Sequence, residues 1–141
     1  MDLKKAELIV DGALKHGRQA KMKPLCVAVL DAAGTLIALK KEDGASFLRP
    51  QIAQAKAWGA IGMGMGTRSL ATRAESHPAF IAAIGSLTAG RIIPVPGGVL
   101  IVGNDKEIVG AVGISGEHSD NDEACAVAGI VAAGFSADAG A

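Results

Sequence analysis

The chain has 141 residues and is half hydrophobic, enough for one domain over residues 1–141 to bury a core without disulfide or metal staples. Its 14 basic and 14 acidic side chains balance to a formal net charge of zero, which argues against a nucleic-acid binder, with its basic excess, and against a disordered chain. Cys26 and Cys125 stand far apart in apolar runs, the pattern of two buried free thiols rather than of a disulfide scaffold or a zinc site.

In the N-terminal run MDLKKAELIVDGALKHGRQAK, charges recur every few residues, so no signal peptide is expected there. No stretch reaches the ~20 apolar residues of a membrane span. The expectation is a cytoplasmic protein without membrane or nucleic-acid partners. The spacing predicts a helix over residues 3–20, with Ile9, Ala13, His16 and Ala20 on one face and Lys4, Lys5, Asp11 and Lys15 towards solvent. Pro24 stops it. LCVAVLD (25–31), the turn DAAG (31–34) and TLIALKK (35–41) read as an antiparallel hairpin, and residues 42–45 form the next turn.

Pro50 opens a helix over 50–62, with Ile52, Ala55, Trp58 or Gly59, and Gly62 tracking one face. The Gly-rich IGMGMGTRS reads as a helix end plus a loop, Thr67 as the cap of a short helix through Ala74, and Pro78 as the opening of another through about Ile84. Two prolines keep IIPVPGG (92–98) out of a central strand. VLIVG, the turn Asn104-Asp105-Lys106 and EIVGAVGIS make a second hairpin. A last helix spans 120–134 behind Ser119 as its N-cap, with Asp120, Asp122 and Glu123 suiting its dipole. The Ala/Gly-rich tail after Phe135 is expected to fray. Strand pairs separated by helices predict an α/β (α+β) fold, an antiparallel sheet covered by helices.

Three blocks resemble the GlcG/HbpS-like, or haem-degrading domain, family, to which the C-terminal domain of PduO-type corrinoid adenosyltransferases is also similar. They are VAVLDAAGTLIALKKEDGA (27–45), IAQAKAW (52–58) with TRSLA (67–71), and VPGGVLIVGNDKEIVGAVGISGEHSDNDEACAVAGI (95–130). The combination D-x-x-G-x-L, A-x-x-K-A, P-G-G and G-x-S-G…D-E carries the likeness. The resemblance implies a profilin-like fold, tetramers or octamers, and haem binding, with haem degradation or redox sensing in an HbpS-type member. GlcG-like members accompany catabolic operons. Where relatives often have Ser or Asp after the DGA block, this chain has Phe47-Leu48-Arg49-Pro50.

Against that background, His16 is the candidate haem-iron ligand, on the apolar edge of the first helix, where the PduO-like domains carry a His ligand. The alternative is a half-buried histidine making one backbone hydrogen bond. Gly97, Gly98, Ser115 and Gly116 are candidate cofactor contacts: small residues with free N–H groups before a helix N-terminus suit a propionate or small carboxylate, or form a strand-to-helix turn. Ser115 is not in the G-x-S-x-G nucleophile pattern. Arg68 and Arg91, with Asp122 and Glu123, are candidate substrate contacts, and Arg49 and Arg73 can likewise pair with a carboxylate or sit in surface salt bridges. Met63 and Met65 are axial-ligand alternatives, and His77 and His118 acid–base alternatives. Three functions follow: a haem-binding module, a carboxylate or carbonyl enzyme or binding protein of a catabolic operon, or a structural homo-oligomeric domain. The scarcity of aromatic residues, 3%, weighs against the first.

Overall fold

A computed structural model describes residues 1–141. Helix α1 (Leu3–Gln19) starts where the Asp2 side chain accepts a hydrogen bond from the Lys5 N–H at 2.8 Å. Strands β1 (Cys26–Asp31) and β2 (Leu36–Lys41) follow, then helices α2 (Arg49–Met63), α3 (Thr67–Ser76) and α4 (Pro78–Leu87). Strands β3 (Gly98–Val102) and β4 (Ile108–Ser115), helix α5 (Ser119–Ala132) and strand β5 (Ser136–Asp138) complete the order.

The two expected hairpins share one antiparallel sheet of order β2-β1-β4-β3-β5. They are joined by β1 against β4, in a register running from Cys26 opposite Ser115 to Asp31 opposite Gly110. Side chains alternate across a strand, so the central strands feed two cores. Val27, Val29, Val99, Ile101, Val112 and Ile114 face α1 and α5. Cys26, Ala28, Leu30, Leu100 and Ala111 face α2. Cys125 belongs to the first core and Cys26 to the second, so the sheet separates the two thiols. Burial pushes both up to about 11, which leaves them protonated and unreactive at neutral pH.

Small residues set the layer spacing. At Gly113 an added Cβ would collide with the Ala53 carbonyl, and at Gly129 with the Ile9 carbonyl. Helix α2 therefore lies directly on β4, and α1 directly on α5, through positions only glycine fits.

Several expectations are corrected. The buried side of α1 runs through Ala6, Ile9, Val10, Ala13 and Gly17, leaving Ala20 exposed and His16 half-buried. The buried side of α2 is Ala53, Lys56, Ala57, Gly59 and Ala60, not the line through Ile52, Ala55 and Gly62, because the small side chains make the close approach and bulkier Ile52 and Trp58 flank it. Helix α2 runs on to Met63 and ends at Gly64 in the left-handed conformation (φ 67°). Thr67 does not cap α3: its hydroxyl donates to the Gly98 carbonyl and accepts from the Gly98 N–H. Ser119 is the first residue of α5 rather than its cap, a position taken by His118. The tail does not fray. It forms β5 on the edge of β3, and Ala139 then accepts from the Arg68 N–H at the start of α3.

Candidate functional site

Side chains with chemistry gather in four places. The first is the crossing of α1 and α5. A Cβ on Gly12 would lie 3.2 Å from the Gly129 Cα and 3.1 Å from the Ala132 Cβ, and one on Gly17 3.6 Å from the Cys125 Sγ. The helices thus run in opposite directions with almost no side-chain bulk between them. Leu8, Gly12 and His16 recur every four residues along α1 and so share one row at the margin of this crossing. Leu8 is 51% exposed, and Gly12 and His16 are half-buried. The His16 ring makes no hydrogen bond or ion pair to the protein, in contrast to His77, whose Nδ1 lies 2.9 Å from the Ser76 Oγ. No group of three or more His, Cys, Asp and Glu side chains is arranged around a metal position. Haem iron, held by four porphyrin nitrogens, needs only one or two ligands from a protein. A free imidazole beside an accessible apolar, small-residue surface fits that requirement.

The second place is a buried ion pair that the sequence does not advertise. Lys56 Nζ donates to Asp122 Oδ2 at 3.1 Å and to the Ile114 carbonyl at 2.8 Å. Asp122 Oδ1 accepts from the Glu117 N–H at 3.0 Å. Burial pushes Asp122 up and Lys56 down, each against the attraction of its partner. Two turns back along α2, Arg49 Nη1 donates to the buried Ser115 Oγ at 3.0 Å. Gly97, in the left-handed region at φ 120°, brings its backbone against Lys56 Nζ, and Gly98 packs on the Lys56 carbonyl and Thr67. Gly116 packs on Pro24 and Leu25. Ser115, Gly116, Gly97, Gly98 and Asp122 therefore do come together, and what the glycines meet is protein. No enclosed side-chain polar atom lacks a partner, so the cluster ties α2, β4 and α5 into one junction. The sequence signals for Lys56 are its place in the A-x-x-K-A motif and its position among Ala53, Ala57 and Ala60, a lysine at core spacing.

The third place is an ionic triad on the surface. Arg68 Nε donates to both Glu123 carboxylate oxygens, at 3.1 and 3.0 Å, and its Nη2 to Asp120 Oδ1 at 2.6 Å. Arg68 and Glu123, two of the expected substrate contacts, thus bind each other and join α3 to α5. The fourth place lies across the molecule from the α1–α5 layer. Arg91 stacks on the Trp58 ring, its Cζ 3.9 Å from the centroid, over a cavity of about 280 Å³ between α2 and the β1–β2 hairpin. Arg91 is therefore separate from Arg68 and from the Gly97–Ser115 cluster.

The solved structures this chain is similar to share its fold. The PduOC–haem complex is 24% identical with a TM-score of 0.86, covering 96% of this chain and 96% of that one. Klebsiella pneumoniae protein ORFY is 22% identical (TM-score 0.86, 94% and 90% covered), and a double mutant of Streptomyces reticuli HbpS is 23% identical (TM-score 0.80, 93% and 85% covered). Among curated proteins the sequence has no significant match. The model of the family described as haem degrading protein HbpS-like matches residues 1–131, and the chain belongs to that family.

Proposed function

We propose that the protein binds haem at the α1–α5 surface, with His16 supplying the axial ligand. The observation that carries this reading is the unpartnered, half-buried His16 ring in one row with exposed Leu8 and half-buried Gly12, beside the close Gly12–Gly129 helix contact. One of the similar structures, PduOC, is a complex with haem, which adds weight. Where rings are scarce, exposed Leu8 in the same row offers aliphatic contact instead. When bound, the iron supplies redox chemistry. The chain's own part is to hold it through one imidazole nitrogen and to cover one porphyrin face with apolar surface. Haem degradation or redox sensing is the activity this binding would serve.

The test is a haemin titration followed by absorbance, in the wild type and His16→Ala. The expected result is a saturable Soret shift at one site per chain, lost or displaced in the variant. An unchanged spectrum in His16→Ala removes His16 as the ligand, and no saturable shift in the wild type removes the reading.

Self-assembly into a tetramer or octamer belongs to the same proposal. It is supported by apolar side chains left in solvent, with Phe47 80% and Leu87 79% exposed and Leu48 and Phe80 beside them in sequence or on the same helix.

A further inference from the structure

We propose that the cavity under Arg91 is a second ligand site, independent of haem, for a small monocarboxylate with an apolar body. Leu30, Leu36 and Trp58 give it apolar walls, and Gln51, Gln54 and Arg91 place polar groups at its mouth. A volume of about 280 Å³ is at the small end of ligand pockets, ~300–1,000 Å³.

The charges of this region leave one cation without a counter-ion. The side-chain ion pairs of the chain use Arg18, Lys40, Lys56 and Arg68, and none uses Arg91. The Arg91 guanidinium is nonetheless held, because its Cζ sits 3.9 Å over the centroid of the Trp58 ring. The arginine side-chain hydrogen bonds of the chain belong to Arg18, Arg49 and Arg68, so the N–H donors of Arg91 are unused by the protein. A planar fork of donors matches a carboxylate in two parallel hydrogen bonds, and a fork already held in place loses little freedom on binding.

The remaining lining fits the rest of such a ligand. Gln54 Nε2 is committed to the Pro50 carbonyl at 3.2 Å, which leaves its oxygen free, and the Gln51 amide has no partner in the chain. The Trp58 N–H has no protein acceptor, and since no enclosed polar atom is unsatisfied, it too faces solvent. Gly34 (φ 81°) brings the β1–β2 turn against the indole edge, where a Cβ would lie 3.2 Å from Cδ1, and so closes one end of the cavity. One cation and an apolar floor suit a monoanion. A phosphate dianion would call for further cations or a nest of N–H groups, and a cationic ligand would meet Arg91 as a like charge.

Trp58 is the single tryptophan and the chain has no tyrosine, so intrinsic fluorescence reports on this cavity alone. The experiment titrates the protein with benzoate, and with neutral benzamide as the isosteric comparison, in the wild type, Arg91→Gln and Arg73→Gln. Expected are a saturable change with benzoate, little with benzamide, and benzoate binding weaker by about tenfold or more in Arg91→Gln, the loss of a charge-assisted contact. Arg73→Gln, at another exposed arginine, retains wild-type binding. Benzamide matching benzoate, equal binding by Arg91→Gln, or no saturable response in the wild type overturns the site. His16→Ala, measured in parallel, retains the benzoate response, so failure of the haem reading leaves this one standing.

Discussion

Lys56 illustrates how much depends on a single side chain in so tight an interior. It and Asp122 are almost wholly withdrawn from water, and each fills the other's hydrogen-bonding capacity together with Ile114 and Glu117. Replacing Lys56 by Met keeps the volume but leaves a buried carboxylate without its cation, a change that costs about 3–5 kcal/mol. Burial alone already drives Asp122 upward. A carboxyl raised in the folded state opposes folding only in its charged form, so the deficit is absent below the unfolded value of about 3.9 and grows as pH climbs through the folded one. Urea unfolding of Lys56→Met is therefore expected to show its largest loss at pH 7 and a smaller one near pH 4. Adding Asp122→Asn, which removes the stranded charge and can still accept from Glu117, recovers part of the loss at pH 7. A loss equal at both pH values would mean that packing, not charge, is what Lys56 supplies. The sequence concealed this pair because its members lie 66 positions apart, and nothing local to Asp122 separates a buried acid from an ordinary first-turn one. His16, in contrast, stands out in the sequence by its place in the helix, and its role as a ligand is part of the proposal.

At the scale of elements, hairpins and helices were legible wherever the pattern had contrast. Charges alternate with apolar residues along α1, and the two prolines and the Gly-rich turns punctuate the rest. The buried side of α2 was not legible because its largest apolar residues, Ile52 and Trp58, lie off that side, while a lysine, Lys56, lies on it among alanines and Gly59. One substitution has opposite outcomes at different glycines. Gly113→Ala drives a methyl into the Ala53 carbonyl and is expected to destabilise by about 1–3 kcal/mol, as overpacking does. Gly62→Ala, within α2 and with nothing within 4 Å of the new carbon, is expected to stabilise by about 0.5–1 kcal/mol through helix propensity. Thermal unfolding of the pair decides it, since equal shifts would mean that the helix–sheet approach at Gly113 is not a hard contact. Thr67 and β5 were hidden for a related reason. Each is defined by a strand elsewhere, Thr67 by Gly98 and Ser136–Asp138 by Leu100–Val102, rather than by its own neighbours.

The fold class was readable for the molecule as a whole, but the order of its strands was not, since nothing in either hairpin says which edge meets the other. The exposed apolar side chains belong to this scale too. No helix is long and apolar enough to cross a membrane, and Phe47, Leu48, Phe80 and Leu87 lie outside both cores. Light scattering of the purified protein is expected to give a tetramer or octamer, and Leu87→Glu, a charge on a side chain that is 79% exposed and has little intramolecular packing to lose, to shift it to smaller species. A wild-type monomer would mean that these side chains do not serve assembly.

The pairing of β1 with β4 also governs how the chain acquires its shape in time. The first hairpin can close as soon as Lys41 is made, yet its inner edge stays open until Ser115 follows, and α1 finds its partner only when α5 is complete. Loop closure over such spans precedes the reward of contact, which slows folding and leaves a β-branched strand unprotected meanwhile. On the ribosome, the N-terminal third would emerge as an intermediate with nothing to dock against, a stage at which a chaperone would find Val27 and Val29 still uncovered.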